Sequence, residues 1–297
     1  MSSSTQPERA RVFHDLHTSP KILVLPCVWE VAGSLLFEAA GFEAIGTTSR
    51  GIAASLGYAD GEQMSRDQML QVVEGIASHL SIPLSADMER GYGEFPDEVA
   101  KTVRGVIAAG AVGINIEDGI NTEGGDGPAQ LTDLSLQLEK VSAASEAAHS
   151  AEVSIVVNAR TDVYWLGVGE PEERLAHAAE RANAYREAGA DCLFVPGVKD
   201  AEAIGSLAKE IHGPLNVLGG KGVPPVPQLE HLGVARVSMG SGPMRASLGV
   251  VKRIATELLG PGTYESFLED SVAYEELIKL LVGEGPVHID HPREPSP

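Results

Sequence analysis

The sequence predicts an α/β protein with the architecture of a (β/α)8 barrel. Eight short apolar runs alternate with helix-like segments along the chain. The length of 297 residues suits such a barrel, for which about 250 residues is usual. A doubly wound parallel sheet is the alternative, but no Gly-x-Gly-x-x-Gly pattern follows the first predicted strand. No long linker divides the chain, so we expect one domain over residues 9–284, with flexible tails at residues 1–8 and 285–297.

The eight predicted strands are apolar runs of four to seven residues. A strand of a parallel barrel gives such a run because both of its faces are covered. The runs lie at residues 22–25, 44–48, 84–87, 112–117, 153–159, 192–195, 215–218 and 235–239.

Helices are predicted in most of the intervening segments from the residues at their ends. Ser65 and Gln68 have capping-box spacing before an amphipathic segment that runs to Leu80. Pro96 and Pro171 stand at first helical positions, where the missing N–H does no harm. Long amphipathic helices are predicted over residues 134–148 and 171–188.

An Ala-Gly pair precedes the second, fourth and sixth predicted strands, with the glycines at Gly41, Gly110 and Gly189. This recurrence indicates a repeated helix-to-strand junction, because glycine commonly ends helices. Beyond the eighth unit, residues 264–268 and 272–282 predict additional C-terminal helices. Since no ninth strand accompanies them, we expect these helices to pack on a neighbouring subunit.

Composition restricts the class of function. A formal charge of −20 argues against nucleic acid or an anionic membrane as partner, because phosphates are bound by clustered Lys and Arg. No run of 18 apolar residues is present to span a bilayer, and the polar N-terminus does not resemble a secretory signal. Cys27 and Cys192 are expected to be reduced core residues rather than nucleophiles. Cytoplasm is the expected compartment.

Acidic residues follow the third and fourth predicted strands. Asp87 and Glu89 end one run, Glu117 and Asp118 end the next, and Asp60 lies in a Gly-rich segment after the second. Because the C-terminal ends of barrel strands meet at one rim, these carboxylates are expected to converge there. Carboxylate oxygens with retained waters suit Mg²⁺, so the pattern predicts a Mg²⁺ site that Mn²⁺ could also occupy. The alternative for any single acid is a strand end or a helix cap.

Three further residues are candidates for substrate binding at the same rim. Arg160 follows the fifth predicted strand, where its guanidinium fork could clamp a substrate carboxylate; the alternative is an ion pair with one of the acids. The backbone amides of Thr48 and Ser49 could bind an anionic oxygen, or could form an ordinary turn. Gly-rich segments at residues 219–222 and 241–243 give a weaker indication of phosphate binding.

Five stretches together resemble the isocitrate lyase / phosphoenolpyruvate mutase superfamily. They occur in that superfamily's order and span most of residues 20–260. They are Ala-Ile-Gly-Thr-Thr-Ser (44–49), Ser-Leu-Gly-Tyr-Ala-Asp (55–60), Ala-Asp-Met-Glu-Arg-Gly-Tyr-Gly (86–93), Asn-Ile-Glu-Asp (115–118) and Asn-Ala-Arg-Thr-Asp (158–162). The resemblance implies a (β/α)8 barrel whose C-terminal helix is exchanged between subunits of a homo-oligomer, usually a dimer of dimers.

The resemblance also implies roles for individual residues. Asp87 is similar to the direct Mg²⁺ ligand of the superfamily, and the acids that hold metal-bound waters correspond to Asp60, Glu89 and Glu117. Arg160 resembles the substrate-carboxylate clamp, with Thr48 and Ser49 in the oxyanion-binding turn. The implied substrates are small 2-oxo or 2-hydroxy carboxylates or phosphonopyruvate.

The segment over residues 119–130 departs from the superfamily. The lyase branch carries a Lys-Lys-Cys-Gly-His-type motif there, whereas this segment has no Cys, Lys, Arg or His. An isocitrate or methylisocitrate lyase is therefore not expected, and the mutase-type segment is not matched either. We expect this Gly-rich segment to close over the site.

The resulting hypothesis is a Mg²⁺-dependent enzyme that cleaves a C–C bond of a small 2-oxo or 2-hydroxy carboxylate through a metal-stabilised enolate. Catalytic roles are assigned to Asp60, Arg160 and Tyr58, with Tyr58 or metal-bound water supplying the proton. One alternative is a phosphonate P–C enzyme of the mutase or hydrolase type. Another is a non-catalytic oligomeric barrel that binds a carboxylate.

Overall fold

A computed structural model describes residues 4–120, 129–269 and 271–283 of the chain. At its centre, nine parallel strands curve into a nearly closed barrel, and a separate antiparallel pair is formed by β6 and β7. In chain order the strands are β1 (Leu23–Leu25), β2 (Cys27–Val28), β3 (Ile45–Thr47), β4 (Leu84–Asp87), β5 (Gly113–Glu117), β6 (Gly119–Ile120), β7 (Gln130–Leu131), β8 (Val156–Arg160), β9 (Cys192–Val195), β10 (Leu215–Leu218) and β11 (Arg236–Ser238). All eight predicted strands are confirmed.

The barrel closes through the two short strands β1 and β2, which Pro26 separates. β1 pairs with β11 in the register Leu23 to Arg236, and β2 pairs with β3 in the register Cys27 to Gly46. Pro26 has no N–H to donate, so the strand is interrupted there. Its carbonyl still accepts the N–H of Gly46 at 2.8 Å. The first predicted strand therefore has two halves, and each half joins a different neighbour.

Helices surround the barrel and extend beyond it. They are α1 (Gln6–Thr18), α2 (Val31–Ala39), α3 (Ser49–Ser55), α4 (Arg66–Ala77), α5 (Pro96–Ala108), α6 (Leu134–His149), α7 (Val163–Leu166), α8 (Arg174–Glu187), α9 (Ala201–Glu210), α10 (Val226–His231), α11 (Gly242–Leu259), α12 (Glu265–Leu268) and α13 (Tyr274–Val282). No helix among the described ranges is both long and apolar enough to cross a bilayer.

The first helix corrects the prediction of a flexible tail over residues 1–8. α1 begins at Gln6, and Thr5 caps it through a capping box with Glu8. The sequence signal was present, because Thr5 and Glu8 have the required spacing. Phe13 of this helix is fully buried, and its ring lies where a Cβ on Gly113, the first residue of β5, would stand. The helix thus covers the N-terminal end of the barrel. The predicted tail over residues 285–297 lies outside the described residues.

The repeated helix-to-strand junction is confirmed. Gly41, Gly110 and Gly189 all have positive φ, at 88°, 89° and 104°. At each glycine the same two backbone hydrogen bonds end the helix. At Gly110, its N–H donates to the carbonyl of Ile107, and the N–H of Ala111 donates to the carbonyl of Val106. This is a Schellman arrangement, in which glycine avoids the steric penalty of the left-handed region.

The ends of other helices agree with the sequence patterns, with one exception. Ser65 caps α4 through the predicted box, and α5 begins at Pro96. α8 begins at Arg174 rather than at Pro171, because residues 171–173 form a turn before the helix. The two predicted C-terminal helices are present as α12 and α13.

Candidate active site

A single pocket opens at the C-terminal ends of the barrel strands and gathers most of the predicted site residues. Its volume is about 670 Å³ when its open mouth is counted with it. Its polar lining comes mainly from the loops and strand ends on the β3–β5 side, with Arg160 from β8 and Ser238 and Ser241 from the β11 side. Its apolar lining comes mainly from the β8–β10 side. The predicted residues among its lining are Thr48, Ser49, Asp60, Asp87, Glu117 and Arg160.

Asp87 stands at the end of β4 and is held by one neighbouring residue. Its Oδ2 accepts hydrogen bonds from both the backbone N–H and the hydroxyl of Ser49, each at 2.9 Å. Its Oδ1 is buried and has no hydrogen-bond partner among the described residues. A buried carboxylate oxygen without a donor is costly unless a ligand satisfies it. The orientation of Asp87 therefore leaves one oxygen for a ligand in the pocket.

Asp60 has the same feature, although an arginine holds its other oxygen. Arg50 Nε donates to Asp60 Oδ2 at 2.9 Å, whereas Asp60 Oδ1 is buried and without a partner in the described chain. Glu117 lies beside Arg160, whose Nη1 is 2.5 Å from Glu117 Oε2. Two of the four predicted metal-site acids are thus paired with arginines. Within the described ranges, no group of three His, Cys, Asp or Glu side chains is arranged to hold a metal ion by itself.

The fourth acid, Glu89, lies buried behind the pocket rather than in its lining. Burial raises the pKa of its carboxyl to about 7, and the charges of Asp60 and Asp87 act in the same direction. Burial also raises the pKa of Glu117 well above its usual range; Arg160 opposes this shift, while Asp162 and Asp87 reinforce it. Glu89 therefore lies close enough to the other three predicted acids, Asp60, Asp87 and Glu117, for their charges to repel one another.

Glu89 belongs to a strained cluster that the sequence did not reveal. Glu62, Glu89 and Tyr92 have φ values of 57°, 50° and 53°, in the left-handed region that side chains usually avoid. The three residues contact one another, since Glu62 N–H donates to Glu89 Oε2 at 2.6 Å and the Tyr92 hydroxyl donates to Glu89 Oε1 at 3.1 Å. Strained backbone of this kind gathers at functional sites.

Arg160 adopts the alternative role considered from the sequence, an ion pair with the acids. Its Nε is 2.6 Å from Asp162 Oδ1, and its Nη1 contacts Glu117 as described. The guanidinium also lies 6.0 Å from the ring centre of Trp165 and 5.7 Å from that of Phe194. These two ion pairs use Nη1 and Nε, which leaves Nη2 as the nitrogen that could donate to a substrate.

The backbone amides of Thr48 and Ser49, predicted to form an oxyanion-binding turn, donate hydrogen bonds within the protein instead. The N–H of Ser49 donates to Asp87, and the N–H of Thr48 donates to the carbonyl of Val28 at 2.9 Å. Thr48 also caps α3, its hydroxyl accepting the N–H of Gly51. Both residues line the pocket, but both amides are occupied by the protein. In this structure neither amide is free for a substrate oxygen, so the prediction that these amides bind one gains no support.

Tyr58 is not brought to the pocket. Its ring is 37% exposed, and its hydroxyl accepts a hydrogen bond from Gln68 at 3.0 Å, away from the lining residues. The geometry gives no support to its assignment as proton donor. Cys27 does line the pocket, yet burial raises the pKa of its thiol to about 11, as suits an unreactive core residue.

A buried network behind Arg160 also escaped sequence reasoning. Asp118 Oδ1 accepts the N–H of Asp162 at 2.8 Å, which fixes the turn after β8. Its Oδ2 accepts from Arg181 Nε at 2.8 Å and from the Tyr185 hydroxyl at 2.6 Å, both on α8. Asp118 was recognisable as an acid at a strand end, but its two partners on α8 lie more than sixty residues later. Only the fold brings them together.

The fold and the pocket define a class: a (β/α)8 barrel whose C-terminal rim carries a carboxylate-rich small-molecule site. The chain belongs to the phosphoenolpyruvate phosphomutase family, whose model matches residues 13–259. This confirms the resemblance to the isocitrate lyase / phosphoenolpyruvate mutase superfamily.

Among curated relatives, an uncharacterised protein of Mycobacterium tuberculosis is 36% identical over 91% of this chain and 96% of its own length. The 2-methylisocitrate lyase of Escherichia coli is 31% identical over 84% of this chain and 83% of that enzyme. The family thus includes lyases that act on carbon–carbon bonds, as well as mutases.

Solved structures show the same fold. A candidate lyase/mutase from Burkholderia cenocepacia is 34% identical with a TM-score of 0.86, covering 95% of this chain and 99% of that one. Phosphonopyruvate hydrolase, solved in complex with oxalate and Mg²⁺, is 26% identical with a TM-score of 0.80, covering 95% of this chain and 96% of that one.

Proposed function

We propose that this protein is a Mg²⁺-dependent enzyme that cleaves a C–C bond of a small 2-oxo or 2-hydroxy carboxylate. The observation that carries the proposal is the pair of buried, unpartnered carboxylate oxygens, Asp60 Oδ1 and Asp87 Oδ1, in one pocket. Buried oxygens of this kind call for a cation or a donor. Lyases among the relatives, and the Mg²⁺ and oxalate bound by phosphonopyruvate hydrolase, support the same class of chemistry.

The residues present fit a hard divalent cation. Asp87 would hold it directly through Oδ1, while Asp60, Glu89 and Glu117 would hold its water ligands. Mg²⁺ keeps several waters and binds through one or two carboxylates, which agrees with the lack of three close ligands in the described residues. Burial, and after it the charges of neighbouring acids, raises the pKa values of Glu89 and Glu117, and a bound cation would favour the ionised form of both carboxyls. Mn²⁺ has the same ligand preference.

When bound, the cation would supply Lewis-acid stabilisation of negative charge on the C2 oxygen of the substrate. The chain's own residues would orient the substrate around that oxygen. The open Nη2 of Arg160 would donate to a substrate carboxylate, while Glu117 and Asp162 hold the guanidinium in place. With Tyr58 away from the pocket, water would supply the proton. The segment expected to close the site includes residues 121–128, which lie outside the described residues.

The apolar side of the pocket favours a substrate with a small hydrocarbon group. Trp165, Phe194, Pro196 and Leu218 line this side, opposite the acids. The two arginines of the lining, Arg50 and Arg160, already pair with carboxylates. A methyl-substituted acid therefore suits this half of the pocket better than a second charged group does.

The C-terminal helices support a homo-oligomer, and a dimer of dimers is our proposal. Thirteen of the seventeen large hydrophobic side chains that are exposed among the described residues lie on α11–α13 or their linkers. α11 buries only Met244 against the rest of the chain. An apolar surface of this extent is rare on a monomer. A second copy of the chain would cover it.

Metal dependence and a substrate panel test the function. The purified protein is assayed with 2-methylmalate, oxaloacetate and phosphonopyruvate, with Mg²⁺, after EDTA, and after Mg²⁺ is restored. We expect C–C cleavage that EDTA abolishes and Mg²⁺ restores. Turnover of phosphonopyruvate alone would assign P–C chemistry instead. Turnover that ignores chelation would remove the metal from the mechanism, and oxalate binding without turnover on any acid would favour a non-catalytic barrel.

A further inference from the structure

Arg236 is a buried cation that none of the roles described so far explains. It is the first residue of β11 and is 1% exposed. Its guanidinium makes three hydrogen-bond contacts: Nε to Ser238 Oγ at 3.1 Å, Nη1 to His17 Nε2 at 3.4 Å and Nη2 to Asn115 Oδ1 at 3.5 Å. In the described ranges no carboxylate lies within ion-pair distance of it. Burial lowers the pKa of this guanidinium, as expected for a cation without a counterion.

The groups around Arg236 do not neutralise it. Burial and the charge of Arg236 itself lower the pKa of His17 to about 3, so this imidazole is neutral. Burial raises the pKa of Cys27 to about 11 and that of Cys192 to about 12, so both thiols keep their protons. The acid whose charge acts on Arg236 is Asp87, in the pocket above it. A buried charge without a partner destabilises a protein, which makes its presence informative.

Two side chains connect Arg236 to the pocket. Asn115 and Ser238 both line the pocket and both contact the guanidinium. Asn115 Oδ1 also accepts a hydrogen bond from Asn158 Nδ2 at 2.7 Å. Because two donors engage Oδ1, the Nδ2 group of Asn115 is the atom left to face a ligand. Arg236 therefore lies directly behind the floor of the pocket and fixes one of its polar groups.

The layer of the barrel around Arg236 has further unpartnered polar atoms. Asn158 Oδ1 and Asn216 Nδ2 are buried without hydrogen-bond partners among the described residues. Asn158 is in register with Asn115, and Asn216 is in register with Arg236. Polar atoms in this number are unusual in a barrel interior, which branched apolar side chains normally fill. They indicate a polar floor built to act on what the pocket holds.

Arg236 also differs from the other arginines at the pocket. Arg160 pairs with Glu117 and Asp162, and Arg50 pairs with Asp60. The segment over residues 121–128 contains no Lys, Arg or His, so it brings no cation wherever it lies. The positive charge of Arg236 is therefore the one at this site that no carboxylate in the described chain offsets at short range.

We propose that Arg236 is a positioning residue for an anionic ligand: it supplies positive potential through the pocket floor and orients Asn115 so that its Nδ2 donates to a ligand oxygen. This inference rests on the proposed function in that the ligand is a small carboxylate. It assigns to Arg236 and Asn115 the charge and the donor that the occupied amides of Thr48 and Ser49 do not provide.

Oxalate binding measured by calorimetry, with and without Mg²⁺, tests this role without requiring turnover. We expect Arg236→Met to weaken oxalate binding by about tenfold or more, because one unscreened charge is lost. We expect Asn115→Ala to weaken it as well, and the double variant to lose less than the product of the two effects, because the residues act together. Arg104→Met, an exposed change on α5, is the control for net charge and should bind as the wild type does.

Thermal unfolding separates this role from a merely structural one. Removing an uncompensated buried charge should leave the Tm of Arg236→Met equal to or above that of the wild type while binding falls. A structural role would lower the Tm and leave oxalate binding intact; that result, or wild-type affinity in Arg236→Met, overturns the proposal.

A second variant, Arg236→Lys, tests the proposal even if Arg236→Met does not fold. Arg236→Lys keeps the charge but loses the fork that reaches both Asn115 and Ser238, so we expect a severalfold loss of oxalate affinity. Unchanged affinity in this variant overturns the proposal too. If the wild type does not bind oxalate at all, the proposed function itself is contradicted. A wild-type protein that binds oxalate but turns over none of the acids contradicts the proposed function and leaves the role of Arg236 in binding standing.

Discussion

Ser49 holds Asp87 with two hydrogen bonds to the same oxygen, one from its backbone N–H and one from its hydroxyl, both 2.9 Å long. Ser49 lies at the start of α3 and Asp87 at the end of β4, so two separate elements fix the carboxylate. The consequence is that Oδ1 points to no protein donor in the described chain. Under the proposed function, Asp87 is therefore the residue on which metal binding would depend most directly.

Asp87→Asn should therefore lower metal-dependent turnover by at least about a hundredfold, because Lewis-acid stabilisation is worth several kcal/mol. Ser49→Ala removes one of the two bonds to Oδ2 and should lower turnover by about tenfold. Steady-state rates across a Mg²⁺ titration measure both effects. Asp67→Asn, an exposed change on α4, is the matched control. Wild-type metal dependence in Asp87→Asn would contradict the assignment.

The raised pKa of Glu89 predicts how the stability of the metal-free protein depends on pH. Its pKa of about 7 in the folded protein exceeds the value of 4.5 for an exposed glutamate. The folded state therefore binds more protons than the unfolded state between these pH values, and stability falls as pH rises from about 4.5 to 7. The contribution is at most about 3 kcal/mol.

Urea unfolding of the metal-free protein across this pH range measures the effect. Glu89→Gln should show a smaller fall in stability than the wild type, while Glu94→Gln, an exposed change nearby, should behave as the wild type does. Stabilisation by Mg²⁺ should grow over the same range, since the cation favours the ionised carboxylate. A wild-type protein that gains stability between these pH values relative to Glu89→Gln would show that the sign is wrong.

The network of Asp118, Arg181 and Tyr185 should respond very differently to its two simplest changes. Arg181→Met leaves the Asp118 carboxylate buried with only neutral donors, the Tyr185 hydroxyl and the Asp162 N–H, which should lower the free energy of unfolding by about 3–5 kcal/mol. Tyr185→Phe removes two hydrogen bonds, the one of 2.6 Å to Asp118 and the one of 3.0 Å that the hydroxyl accepts from Arg181 Nε, and should lower the free energy of unfolding by about 1–3 kcal/mol. Denaturant midpoints compare the two. Equal effects would mean that charge compensation is not the role of Arg181.

Charges placed on α11 test the proposed subunit interface. Leu248 and Val251 are 53% and 57% exposed, so glutamate at either position should leave the folded barrel intact. If a second copy covers this face, each variant should shift the protein to a smaller species in sedimentation analysis. Val12→Glu, at an exposed position on α1, is the control. An unchanged mass in both α11 variants would place the interface elsewhere.

The barrel strands could be predicted from the sequence because they are largely buried on both faces and so form compact apolar runs, whereas the short pair β6 and β7 was not predicted. α1 was missed because its apolar residues are few, although Thr5 and Glu8 gave the cap. The start of α8 was placed too early because a proline suits a turn as well as a first helical turn. Local sequence patterns thus predicted which helices and strands exist better than they predicted where each one begins.

The sequence predicted which acids would gather at the site, but it did not predict which of them would form ion pairs with arginines. Asp60, Asp87 and Glu117 do line one pocket, which the convergence of strand ends explains. Which of them an arginine neutralises depends on side-chain geometry that spacing does not encode, as Arg50 and Arg160 show. Arg236 gave a signal that went unused: it is a charged residue at the start of an otherwise buried run.

The division of the first barrel strand at Pro26 has a consequence for how the chain reaches its native state. β1 finds its partner β11 only after most of the polypeptide has been made, whereas β2 finds β3 almost at once. Until β11 has been made, β1 lacks the strand with which it pairs, and the sheet cannot close into a ring. Closure of the ring is a late, long-range event, and the ribosome must release the last strand before it can occur.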